Sequence, residues 1–271
     1  MNLIPLLVNL AGTALAVAVA MGLTMAYALR TRTHSVVDVV WGLGFVVIAL
    51  TSFALSGVQG EGVTGRRVLV LALTALWGLR LGAYIFRRNH GKGEDPRYAA
   101  LLRRNKGPVV PFVLRHIYFA QGWIMWMVSL PVQVAMYQNA SLGVLTWLGV
   151  AVFAVGFLFE SVGDRQLARF KADPANQGKV MDRGLWGWTR HPNYFGDSVV
   201  WWGLFLVACS HWTGLLTVIG PAFMTHLLVN RSGKALLERQ MARRRGQEYT
   251  DYLARTSGFF PRPPRRPKPA A

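Results

Sequence analysis

Apolar runs of about the 20 residues that cross a bilayer as one helix recur along this chain, roughly at 3–29, 36–56, 67–86, 111–137, 141–162, 194–210 and 212–230. They predict an all-α fold: a polytopic membrane bundle of about seven transmembrane helices, the last two joined by a tight turn at His211. The first run follows no basic segment and is too long for a signal-peptide core, so it is expected to stay as a span. With 52% hydrophobic and 15% charged residues, the composition agrees.

A net charge of +18 would suit a nucleic-acid binder if the charges were scattered or clustered on a soluble face. Instead, all but four of the 30 Lys and Arg fall in four segments, 30–35, 87–110, 163–193 and 231–271. Arg66 and Arg67 lie in an intervening loop, Arg80 and Arg115 within predicted helices. By the positive-inside rule the N-terminus is then outside, the four basic segments and the C-terminus are cytoplasmic, and the protein sits in a bacterial-type inner membrane. The charge is read as topology and attraction to anionic headgroups, not as a nucleic-acid surface.

The ionisable residues of the helices share one half of this bundle. Asp38 starts the second run, Arg80 is near the end of the third, and Arg115 and His116 open the fourth. Glu160 ends the fifth, Asp197 begins the sixth, and His226 with Asn230 ends the seventh. A charge in hydrocarbon is costly unless paired or wetted, so such residues turn inward and mark a site. Together they predict a polar cavity open to the cytoplasm.

The bundle is expected over 1–230, with two cytoplasmic segments, 87–110 and 163–193, folding as caps. In the first, Asp95 and Pro96 predict a short capped helix. The second should extend the fifth helix and turn at Ala172-Asp173-Pro174. A basic amphipathic helix over 231–258 follows, with Leu237, Met241, Tyr249 and Tyr252 on one face and a break at Gly246. The tail, 259–271, reads as disordered and basic.

Common sites are missing. The GVQGEG at 57–62 has the wrong spacing for a dinucleotide fingerprint, and neither HExxH nor GxSxG occurs. One cysteine, Cys209, and a His191 without a second ligand at useful spacing leave no metal expected. What remains on the cytoplasmic side is a set of Arg, His, Asn, Tyr and carboxylate groups suited to phosphates, ribose hydroxyls and amides. Trp186, Trp188, Tyr194 and Phe195 could stack on a base or nicotinamide ring, although an interfacial aromatic belt accounts for tryptophans equally well.

The stretch GLWGWTRHPNYFGDSVVWWG at 184–203, with ERQMARRRGQEYTDYLARTSGFFPRPP at 238–264, resembles the C-terminal signature of the steroid 5-alpha-reductase-like membrane proteins. Through DVVWGLGF, RRNHGKGEDPRY and FKADPANQGKVMDRGLW, the chain from about 36 to 264 is similar to their uncharacterised bacterial branch. The resemblance implies NADPH in the cytoplasmic half of a seven-helix bundle and an apolar lipid that receives hydride at a carbon–carbon double bond. On that basis Arg80, Glu160, Asp164, Arg190, His191, Asn193, Tyr194 and Asp197 would line the cofactor, and Arg169 and Lys171 would meet its phosphates. In the family a glutamate on the second helix and a tyrosine on the third hold the substrate carbonyl. Here those positions carry Asp38 and Trp77, with Tyr84 the nearest phenol further along the third helix.

Two other readings stay open. The shared RHP-Y-G and E…Y…Y pattern also belongs to methyltransferases of prenyl and phospholipid substrates, in which case S-adenosylmethionine is the cofactor and Glu238 holds its amine. The Trp77 departure would suit a lipid-binding protein that keeps the fold without catalysis.

Overall fold

The computed structural model describes residues 2–231 and 234–264, excluding most side chains between 234 and 245. Its elements are helical, apart from one parallel bridge between Thr189 and Ser257. In order they are α1 (Leu3–Thr31), α2 (Val36–Val58), α3 (Thr64–Asn89), α4 (Pro96–Arg103), α5 (Val109–Val113), α6 (Ala120–Val128) and α7 (Leu130–Ala135). Then come α8 (Val144–Ala172), α9 (Leu185–Trp188), α10 (Pro192–Ala208), α11 (Ile219–His226) and α12 (Lys234–Arg255).

Among the described residues, five helical stretches are long and apolar enough to cross a membrane: α1, α2, α3, α8 and the run Trp212–Arg231. Two expected spans are helical but take another form. Over 111–137 the helix is broken into α5, a π-helical turn at Leu114–Phe119, α6 and α7. Proline has no N–H to give, and Pro131 sits where α7 restarts after Ser129. At 17 residues, α10 is about 26 Å long, short of the roughly 30 Å hydrocarbon thickness.

A membrane is the solvent that fits these surfaces. Helix α1 buries Asn9, Thr13 and Thr24, yet leaves Ile4, Leu15 and Leu23 76%, 67% and 68% exposed. In water that pattern would be inverted; in lipid it is the stable one. Most of these buried polar groups find partners. Gln133 Oε1 accepts from Thr13 Oγ1 at 2.6 Å and from Asn9 Nδ2 at 3.3 Å, and Gln133 Nε2 donates to Ser129 Oγ at 2.9 Å. With several such helices, this is an integral membrane protein.

The chain forms two compact units: Met1–Thr146 with Val207–Gly220, and Trp147–Leu206 with Pro221–Ala271. In the first, Arg66 is fully buried and fixes the segment before α8, donating to the carbonyls of Ala140, Ser141 and Val207 at 3.0, 2.7 and 2.8 Å.

In the second unit α8 and α10 run antiparallel at backbone contact. Glycines recur every seven residues on both, at 149, 156 and 163 and at 196 and 203. A Cβ at Gly156 would lie 2.5 Å from Val200 N, and one at Gly196 2.4 Å from Glu160 N. Only glycine permits this approach, the small-residue packing typical of membrane helices. Helix α8 ends at Ala172, and Asp173 caps the 3-10 turn Pro174–Asn176 that follows. Gly246, at φ 54° and ψ −127°, kinks α12 where the sequence placed a break.

The tail differs from expectation in its first residues. Thr189 Oγ1 donates to Phe259 O at 2.8 Å, Arg262 N donates to Trp188 O at 3.0 Å, and Phe259 is buried. These bonds hold 259–262 in place; residues 265–271, and the side chain of Leu237 on α12, lie outside the described part.

Candidate functional site

In the first unit the chemistry gathers at the start of α2. Ser35 precedes the helix, and the Glu94 carboxylate accepts from the backbone N–H groups of His34 and Ser35, the latter at 2.9 Å. An anion at a helix N-terminus meets the positive end of its dipole, which docks segment 87–108 here. Asp95 caps α4 by accepting from Arg97 N at 2.8 Å, with Pro96 at the first position as the sequence predicts. Helix α4 thereby presents two side chains to Asp38. Tyr98 Oη donates to Asp38 Oδ1 at 2.6 Å, and Arg97 Nη2 donates to Asp38 Oδ2 at 2.7 Å. Gln121 Nε2 donates to the same Tyr98 oxygen at 3.1 Å.

These contacts set the protonation of the group. Burial raises the Tyr98 pKa well above the usual phenol range, and the Asp38 charge and hydrogen bond raise it further. Burial opposes the charge on Arg97, but bonds to Asp95 and the charges of Asp38 and Asp95 outweigh it and raise its pKa. Nearby, His34 Nδ1 lies 2.9 Å from Tyr118 Oη, and burial lowers the His34 pKa against the pull of Glu94.

Of the other candidates in this unit, Trp77 is fully buried, its ring edge-on to Phe45 at 5.4 Å between centroids. Tyr84 lies beneath two guanidinium groups, Arg80 at 5.6 Å and Arg88 at 5.9 Å from its centroid. The phenol on Asp38 is therefore Tyr98, from a cap helix and not from α3. Sequence marks the EDPRY segment as a capped helix but contains no local signal for where that helix docks.

In the second unit the glycine contact sets the carboxylates of α8 beside α10. Glu160 and Asp164 are buried, and Asn193 Nδ2 donates to Asp164 Oδ1 at 3.2 Å. Asp197 is buried one turn further along α10. Arg169 and Lys171 lie on the exposed last turns of α8. At the start of α10, Arg190 Nε donates to Glu238 Oε1 at 2.8 Å and its Nη1 to the carbonyls of Leu253 and Thr256 at 3.1 and 2.9 Å. His191 Nε2 is 3.2 Å from the same Glu238 oxygen, and its ring stacks on Tyr194 with centroids 5.4 Å apart.

The RHP segment is thus joined to α12 as well as to α8. Tyr252 Oη donates to Trp186 O at 2.6 Å, and Trp186 Nε1 donates to Gly163 O at 3.0 Å. Burial and then the Glu238 charge push the Tyr249 pKa up to about 12, and burial raises that of Tyr252.

Burial alone would raise the Glu238 pKa, but the bonds and charges of His191 and Arg190 outweigh it and hold the group below its ordinary 4.5. A carboxylate depressed on folding contributes stability that is complete above the unfolded value and is lost as pH falls through the folded one. Thermal melts of the detergent-solubilised protein are expected to be flat above that value as far as this group is concerned, and to fall below it. E238Q should flatten the acid limb; an unchanged limb would show that the ion pair contributes nothing.

The comparisons with known proteins follow these elements. An uncharacterised protein of Schizosaccharomyces pombe is 25% identical over 256 residues, covering 86% of this chain and 74% of the relative. No solved structure matches. Residues 24–256 match the family described as "Protein of unknown function (DUF1295)", a span that takes in the Asp38 cluster, the RHPNYFGD helix and Glu238, and the chain belongs to that family.

Proposed function

We propose that this protein is a membrane-embedded, NADPH-dependent reductase of a carbon–carbon double bond in an apolar lipid, steroid-, prenyl- or fatty-acyl-like. The observation that carries the reading is the Asp38–Tyr98–Arg97–Gln121 cluster: a protonated phenol held on a carboxylate at the end of a membrane helix. It supports the steroid 5-alpha-reductase likeness because a conjugated carbonyl needs one strong donor at its oxygen when the double bond is reduced. In this reading the helices cross seven times, with the N-terminus outside and the basic segments and both clusters facing the cytoplasm of a bacterial-type inner membrane.

The second unit has a donor set that fits NADPH. The Glu160 and Asp164 carboxylates would accept ribose hydroxyls, the Asn193 amide would bond a carboxamide, and Arg169 and Lys171 would neutralise phosphate. NADPH supplies a hydride when bound. The chain's own task is to orient it and keep water away. Arg190 would line the cofactor from a fixed position, because its Nε and Nη1 are held by Glu238 and two carbonyls at the RHP turn.

The methyltransferase reading assigns Glu238 to an amine, but that carboxylate already serves Arg190 and His191. Breaking a partly buried ion pair to admit a ligand is costly.

Purified protein is expected to bind NADPH, with transfer of tryptophan fluorescence to the nicotinamide as the readout. N193A should weaken binding about tenfold, the worth of one hydrogen bond to a charged or polar partner. Folded protein that binds no NADPH, or that prefers S-adenosylmethionine in competition, would overturn the reading.

A further inference from the structure

The second unit also carries a small polar cleft whose side chains neither cluster uses, although the carbonyls of Leu253 and Thr256 on its wall accept from Arg190. It has a volume of about 290 Å³ and is lined by Arg255, Thr256, Ser257, Gly258, Arg262 and Pro263, among others. This is at the lower limit of small-molecule pockets, which run from about 300 to 1,000 Å³, and so matches a headgroup better than a dinucleotide. Its two arginines have donors to spare. Arg255 gives Nη2 to Asp182, while among the described residues only the backbone of Arg262 makes a hydrogen bond. Among the described residues no acidic side chain lines the cleft, Asp182 pairing with Arg255 from beside it.

The surroundings say where the ligand comes from. Trp188, whose carbonyl receives the Arg262 N–H, is 47% exposed, and Phe260 is 64% exposed. Phe260 also packs against Phe195, 6.2 Å between centroids, at the point where α10 turns apolar. Exposed aromatic rings beside a basic cleft at the foot of an apolar helix are the arrangement of a membrane–water interface.

We propose that this cleft binds the phosphate of an anionic phospholipid headgroup from the adjoining leaflet, with Arg262 and Arg255 as its cations and Thr256 and Ser257 as hydroxyl donors. The site fixes the C-terminal end of α12 to the membrane surface. It rests on the membrane reading and is independent of the cofactor assignment.

The test is native mass spectrometry of the full chain in detergent, with phosphatidylglycerol or phosphatidylcholine added, and with inorganic phosphate in a separate arm. Phosphatidylglycerol should be retained in preference to phosphatidylcholine, and R262Q should weaken its retention about fivefold, the effect of one basic residue near an anionic surface. R103Q, which removes the same charge from the exposed last turn of α4, should not. Equal losses in R262Q and R103Q would reveal a diffuse surface attraction and overturn the proposal. Displacement of the lipid by inorganic phosphate would make the site one for free phosphate and overturn the lipid source. NADPH binding should be unchanged in R262Q, so its absence from the wild-type protein alongside selective lipid retention would sink the reductase reading alone.

Discussion

Tyr98→Phe is expected to lower double-bond reduction by about a hundredfold to a thousandfold, the effect of removing one preorganised donor from a developing oxyanion. It should leave NADPH binding nearly unchanged, because the ring stays, and lower stability by about 1 to 3 kcal/mol, since Asp38 and Gln121 each lose a hydrogen bond. The charge state explains why a donor is the right description. With Asp38 ionised, Tyr98 keeps its proton at any physiological pH, its pKa raised by burial and then by that carboxylate. The phenol has a single O–H, which it gives to Asp38, so to polarise a carbonyl it would turn that O–H from Asp38 to the substrate oxygen. D38N should keep the phenol and part of the rate, whereas Y98F loses the rate. A Y98F protein as active as wild type on a reducible lipid would remove the phenol from the mechanism.

Gly196→Ala is expected to be the most damaging small change in the second unit. The added methyl would sit 2.4 Å from Glu160 N, 2.6 Å from Gly156 O and 2.8 Å from Glu160 Cβ, and backbone atoms cannot swing aside as a side-chain tip would. Overpacking of this kind costs about 3 kcal/mol, roughly 6 to 12 °C in melting temperature for a chain of this size. NADPH binding should fall with it, since forcing α8 and α10 apart separates Asp164 from Asn193. Gly22→Ala serves as the comparison, because a methyl there meets nothing within 4 Å. If both variants melt alike, the helix contact is not what holds these carboxylates.

Membrane class was legible because it depends on long local runs, and α1, α2, α3 and α8 fall where hydropathy sets them. So were the Asp95-Pro96 cap, the turn after Ala172 and the Gly246 break, each written in neighbouring residues. The interruption of 111–137 was harder to see, since apolar composition continues through Pro111, the π-helical turn and Pro131. The candidate residues Glu160, Asp164, Asn193 and Asp197 could be named from a motif, yet the seven-residue glycine spacing that sets them side by side passes unnoticed in a glycine-rich chain. Tyr98 was missed as a partner of Asp38 for a plainer reason. They are 60 positions apart, and what brings them together is the Glu94 carboxylate at the end of α2, a tertiary event with no periodicity to announce it.

The polar patch on α1 bears on how the chain is made. Synthesis runs from the N-terminus, so α1 enters the bilayer more than a hundred residues before Gln133 exists. Until then Asn9 and Thr13 lack their amide partner, and α1 is oriented by its packing against α2 and then by the bond from Trp126 Nε1 to Thr13 Oγ1. Arrival of Gln133, accepting from both, supplies that partner. The patch is a late lock: it reinforces, from a residue made more than a hundred positions later, an orientation of α1 that packing on α2 begins.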